Sequence, residues 1–223
     1  MPPKTEKLQK QTSHTHLNHG RILIVCEGRE TEFNYFNGFK QALHRFWKSK
    51  ADDVIVLDIK SAESKTTANQ IIERAEKEKA SATLDYLEIW CVFDKDNDTQ
   101  NSPGDYNEII DTRAKSKGLR VAYSNPAFEL WYLLHFCYHH VELQYDSCCE
   151  KELTRYLKEE YKKSDPKLFD KVKEKQAIAI KNAKRLMEKW EGRTDFANHN
   201  PSTTVHELVT MLNDYLKKVE NAV

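Results

Sequence analysis

Two kinds of block alternate along this chain: short unbroken apolar runs, and longer stretches in which apolar residues return every three or four positions. RILIVC (21–26) is an unbroken run rich in β-branched residues, the pattern of a strand buried on both faces of a parallel sheet. It ends at Glu27-Gly28. The next segment sets Phe33, Phe36, Phe39, Leu43 and Phe46 at helical spacing, which predicts a helix over 31–48. DVIVLDI (53–59) reads as a second strand, and Thr66 and Thr67 offer N-caps to a helix carrying Ile71, Ile72 and Ala75. YLEIWCVF (86–93) reads as the third buried strand and runs into the acidic DKDND. A turn-forming NSPG leads to a third helix in DYNEIIDTRAKSKG, with Gly118 placed to cap its end. LRVAYS (119–124) predicts a fourth strand that stops at Asn125-Pro126, and AFELWYLLHF (127–136) an apolar, largely buried helix.

Strands alternating with helices point to a mostly parallel sheet, because each parallel connection needs a crossover element to return the chain. The pattern changes after residue 147. Segments 149–163, 166–191 and 203–220 are helical by periodicity, with no further strand signal. Leu153, Tyr156, Leu157 and Tyr161 stripe the first of these. Ile178, Ala179, Leu186 and Trp190 mark the second, and Leu208, Leu212, Tyr215 and Leu216 the third. The predicted class is α/β: a mostly parallel four-stranded sheet flanked by helices over 21–147, with an all-helical extension packing on it over 148–223. Residues 1–20 are expected to form a disordered polar tail.

With 223 residues and 39% hydrophobic content the chain can bury a full core, and no stretch approaches the roughly 20 apolar residues that span a bilayer. The opening segment lacks the apolar centre of a signal peptide, so the expectation is a cytoplasmic protein with no membrane association. Cys26 and Cys91 fall inside apolar runs and read as small core residues; the five cysteines show neither CxxC spacing nor a disulfide framework. Lys+Arg and Asp+Glu both number 35, so a polyanionic partner can be met only by a local patch. Residues 151–192 hold 13 Lys/Arg against 8 Asp/Glu, and Lys181, Lys184 and Arg185 are the candidate nucleic-acid contacts there. A solvated helix face is the simpler explanation of any single charge in that stretch.

Glu27 follows the first strand, and Asp94, Asp96 and Asp98 follow the third. In a doubly wound sheet ligands bind outside the carboxyl ends of the strands, where the strand order reverses. If strands one and three are neighbours, Glu27 and the Asp run meet at one crevice. Carboxylate and water oxygens suit Mg²⁺ (or Mn²⁺), which keeps several waters and binds substrate phosphates, and the Glu can add general acid/base help. Acids at strand ends are also often solvated, or cap the next helix. Asp98 carries the weakest claim of the four.

A family resemblance bears on that choice. ILIVCEGRETEFNYF resembles the opening motif of RloB-like proteins, in which a hydrophobic strand runs into CEG and then a Thr-Glu pair. VFDKDND resembles their second motif, SNPAFELWYLLHF (124–136) their third, and NPSTTVHELV (200–209) a C-terminal one, so the likeness runs from Arg21 to about Leu212. The family is in turn similar to Toprim proteins, whose signature is a Glu after the first strand and an Asp-x-Asp after a later one. The resemblance implies a Toprim-like fold, with Glu27 as the acid/base residue and Asp94 and Asp96 as metal ligands. It also implies nuclease chemistry on RNA or DNA in bacterial anti-phage defence of the abortive-infection kind, often beside an ABC/SMC-type ATPase. The rival expectation is a non-catalytic metal- or nucleotide-binding partner subunit of such an ATPase. A topoisomerase needs a nucleophilic Tyr in a separate domain and a primase commonly a zinc module; neither is visible.

Four further residues are candidates for a place beside the metal ligands or against substrate: Asn125, Glu129, Asn200 and His206. Glu129 sits in an otherwise apolar helix, where a buried charge needs a partner. It holds a second metal, orients the first metal's ligands, or is a first-turn carboxylate favoured by the helix dipole. Asn125 either ligates or ends its strand. PSTTVHEL is first of all a helix start, with Thr204-x-x-Glu207 offering a capping box, which leaves Asn200 and His206 to face the crevice. His135, His139 and His140 with Cys137 lack a third and fourth ligand at zinc-site spacing and read as structural or surface residues.

Overall fold

The computed structural model describes residues 20–47, 55–61, 67–95, 102–143 and 146–221; the tail expected over 1–20 (all but Gly20), Thr66, Asp96 and Asp98 lie outside them. β1 (Gly20–Cys26), β2 (Ile55–Ser61), β3 (Tyr86–Asp94) and β4 (Arg120–Asn125) are parallel neighbours in the order β2-β1-β3-β4. The crossovers are helical, as the alternation predicts. α1 (Thr31–Trp47) joins β1 to β2, and α2 (Ala68–Ser81) joins β2 to β3. Thr67 caps α2 through a capping box with Gln70. α3 (Pro103–Glu108) runs through a π-helical turn (Ile109–Arg113) into α4 (Ala114–Ser116), and Gly118, at φ +68°, ends the unit.

A fifth strand corrects the expected four. β5 (Ser202–Thr203) pairs antiparallel with β4, its ladder continued by a Thr204 N–H···O=C Tyr123 bond of 2.9 Å. A two-residue strand leaves no periodicity to read; the pairing partner makes it. The capping box expected at Thr204 is not formed either. Its hydroxyl accepts the Tyr123 N–H at 3.0 Å, and Thr203 Oγ1 instead accepts the Val205 N–H at the helix start.

α5 (Glu129–Leu134) is buried along its whole length. Beyond it lie α6 (Asp146–Leu157), α7 (Leu168–Val172), α8 (Gln176–Glu188) and α9 (Val205–Asn221). The helix expected over 149–163 stops early, because Lys158 turns into the left-handed region at φ 59°. The helix expected over 166–191 is broken by a 3₁₀ turn at Lys173–Lys175. Ile178, expected inside, is 49% exposed.

The two faces of the sheet carry separate cores. Ile22, Ile24, Trp90, Val92 and Ala122 meet α1 and α5–α9; Leu23, Val25, Cys91, Phe93 and Tyr123 meet α2 and α3. On α1 the buried stripe is Tyr35, Phe36, Phe39 and Leu43, whereas Phe33 is only half-buried. Tyr35 is the centre of that core. Its ring makes edge contacts with Phe36, Phe39, Phe128, Trp131, Tyr132 and Phe169 at centroid distances of 5.4–6.3 Å.

His135 closes α5 inside this apolar core, its Nδ1 2.9 Å from the Trp131 carbonyl. Burial pulls its pKa from the ordinary 6.5 down to about 4, so it stays neutral while an unfolded chain would take up a proton. Stability is therefore complete above pH 6.5 and falls as the pH drops toward 4. By pH 5 this one group costs about 2 kcal/mol relative to pH 8. His199 and His206 are shifted the same way by burial and steepen the slope. Urea titrations of wild type and His135→Gln between pH 8 and 5 check this: the variant is expected to lose part of the slope, and parallel curves would rule His135 out.

Candidate active site

The parallel strands end on one edge of the sheet, and the acidic residues gather there. Glu27 continues the ladder one step past β1, its N–H bonded to the Val92 carbonyl at 3.0 Å. Its side chain turns back to the neighbouring strand, where Oε2 accepts the Asp94 N–H at 3.0 Å. Asp94, the last residue of β3, in turn accepts the Phe128 N–H on Oδ2 at 3.0 Å. Two carboxylates 67 residues apart in sequence thus tie the ends of β1 and β3 to the turn before α5. The adjacency of strands one and three that the crevice required is present.

A third acid, Glu32, lies near them and is absent from the candidate residues above. Glu32, in the first turn of α1, is only 5% exposed, and a Cβ built on Gly28 would stand 3.3 Å from its Oε2. The Cys26 thiol registers the cluster: burial raises its pKa most, and the charges of Glu32 and Asp94 raise it further. A signal for Glu32 existed. It lies three and four residues before Tyr35 and Phe36, on the stripe that α1 buries, and an acid on a core stripe asks for a reason.

Glu129 is the fourth acid. It is 2% exposed, accepts a hydrogen bond from the Tyr161 hydroxyl at 2.9 Å and pairs with Lys163 Nζ at 3.3 Å. Tyr132 links it to α1 by donating to the Thr31 carbonyl at 3.4 Å. Burial, Tyr35, and then Glu129 and Glu32 push the Tyr132 pKa well up. Burial and Glu129 do the same to Tyr161, so both phenols stay protonated donors. Tyr161 and Lys163 reach Glu129 only because the chain leaves α6 at Lys158, and no periodicity foretells that.

Asn125, Asn200 and His206 bond to backbone groups, although Asn125 follows the β4 residue that pairs with Asp94. Asn125 ends β4 and donates Nδ2 to the Phe196 and Ala197 carbonyls at 3.3 and 3.2 Å. Asn200 uses both ends of its amide on the Leu143 backbone, at 3.1 and 2.8 Å. His206 rests its Nδ1 3.2 Å from the Thr203 carbonyl, near the sheet edge formed by β5, roughly 10 Å (two strand spacings) from β3. Lys181, Lys184 and Arg185 are exposed on α8.

A family model described as RloB-like protein matches residues 22–212. The chain belongs to the RloB-like family. No curated protein and no solved structure matches it. The match takes in every acid described above and the C-terminal helices as far as Leu212. Among the described residues no helix is long and apolar enough to cross a membrane, and no three His, Cys, Asp or Glu side chains are gathered closely enough to hold a metal ion. Asp96 and Asp98, expected to extend the set, fall outside those residues. Glu27, which accepts the Asp94 backbone N–H, and Asp94 itself carry the hard oxygen donors that Mg²⁺ or Mn²⁺ takes.

Proposed function

We propose that this RloB-like protein is a metal-dependent nuclease of Toprim-like organisation that hydrolyses phosphodiester bonds of RNA or DNA in anti-phage defence. The observation that carries the reading is the junction of Glu27 and Asp94 across adjacent parallel strand ends. Asp94 and Asp96, with Glu27, would hold Mg²⁺ or Mn²⁺, which supplies polarisation of a phosphoryl oxygen and a more acidic water. Glu27 is held at the strand end by the Asp94 N–H, and in this reading it would take a proton from the attacking water. Glu32 and Glu129 add negative charge, and Lys163 offsets part of it beside Glu129.

Purified protein is expected to cut end-labelled RNA or DNA with Mg²⁺ or Mn²⁺ and to leave it intact in EDTA. In calorimetry, Asp94→Asn and Asp96→Asn are each expected to weaken divalent-ion binding by at least about tenfold, with Asp98→Asn much milder. Unchanged affinity in Asp94→Asn would remove it from the ion's ligands.

A further inference from the structure

Phe136 and Tyr138 follow the end of α5 and stand half-buried at the surface. Each carries a cation on its ring: Lys175 Nζ lies 4.2 Å from the Phe136 centroid, and the Arg185 guanidinium carbon 4.1 Å from that of Tyr138. Phe136 also stacks on Tyr156 (5.3 Å, 12°), and Tyr138 on His140 (5.3 Å, 13°). Beside them an open depression of about 550 Å³ runs along α8, lined by Lys181, Lys184 and Arg185, with Glu188 the one carboxylate among its lining residues. Among the described residues, none of Lys175, Lys181, Lys184 and Arg185 is paired with a carboxylate.

Flat rings set between unpaired cations match one class of partner: a polyanion that carries exposed π faces. We propose that this surface binds single-stranded nucleic acid, with bases stacked on Tyr138 and Phe136 and phosphates on Lys175, Lys181, Lys184 and Arg185; as the site that seats the substrate, it rests on the nuclease reading above. Magnitudes favour the exchange. A base stacked on an aromatic side chain is held more tightly than an exposed cation over the same ring. An incoming base therefore displaces the cation from the ring, and the cation is released beside a phosphate. A duplex keeps its bases stacked on one another and offers no face to the rings, so the surface discriminates by strandedness. Glu129 opens α5 and Phe136 follows its end, about 10 Å away at 1.5 Å per residue, so the rings stand at the far end of the element that carries that acid.

The test is fluorescence anisotropy with labelled single-stranded and duplex oligonucleotides in EDTA, alongside cleavage assays in Mg²⁺. Wild type is expected to bind the single strand at least about tenfold more tightly than the duplex. Tyr138→Ala is expected to lower single-strand affinity about tenfold at an unchanged salt slope. Replacing Lys181, Lys184 and Arg185 together by Gln is expected to cut the slope of log affinity against log salt by about 2. Equal or tighter duplex binding, no binding at all, or wild-type affinity in Tyr138→Ala overturns the inference. If Tyr138→Ala fails to fold, the wild-type comparison of strandedness decides alone. Strand-selective binding without cleavage would support this surface while removing the nuclease reading; cleavage with binding blind to strandedness would do the reverse.

Discussion

Glu27→Gln is expected to lower nucleic-acid cleavage by about a thousandfold or more while leaving the melting temperature within a few degrees of wild type. The amide keeps the size of the carboxylate and an oxygen to accept the Asp94 N–H, so the link between β1 and β3 survives. What it loses is the negative charge that draws a divalent ion and the basicity that takes a proton. General acid–base catalysis alone accounts for about 10²–10⁴-fold, and a weakened metal site adds to that. Melting curves and cleavage rates on the same samples separate the two outcomes. Full activity in a folded Glu27→Gln would refute the catalytic assignment and favour a non-catalytic subunit of an ATPase assembly.

The largest stability effect is expected at Gly38. This glycine lies inside α1, where helix propensity alone would make Ala better by up to about 1 kcal/mol. The structure reverses the sign. A Cβ at position 38 would lie 2.2 Å from Phe169 Cγ and 2.5 Å from Phe169 Cβ. Phe169, on α7, is buried against Phe39 and Tyr35, so its ring has nowhere to retreat. Gly38→Ala should therefore destabilise by about 3 kcal/mol, the upper end of ordinary overpacking, and lower the melting temperature by about 6–12 °C. Pairing it with Phe169→Leu is expected to recover part of the loss, since the two residues contend for one space. A melting temperature at or above wild type in the single variant would mean that α7 does not rest on α1 in this way.

Both effects turn on what different levels of description reveal. The three central strands, the buried cysteines, the cap at Thr67 and the turn at Gly118 could all be read from local pattern, because period, β-branching and a positive φ are properties of a few neighbouring residues. Glu27 and Asp94 were legible for the same reason: each is the polar residue at which a buried strand stops. Glu32 was half legible, as an acid on a core stripe.

Pairings made by distant segments were not legible. β5 is two residues long and exists because β4 offers it a free edge. The Thr204 hydroxyl leaves its own helix for the Tyr123 N–H, a choice that local capping rules cannot anticipate. Tyr161, which continues a helical stripe in the sequence, serves Glu129 instead once Lys158 turns the chain, and Lys163 joins it there. The sequence by itself determined where the strands lie, which acids end them, and that helices return the chain between them. Only the tertiary structure decided which strands are neighbours and which side chain satisfies each buried charge. Strand and helix periods are set by steric and hydrophobic preferences a few residues long, whereas a buried carboxylate is satisfied by whichever donor the fold brings within about 3 Å, however far away it lies in the chain.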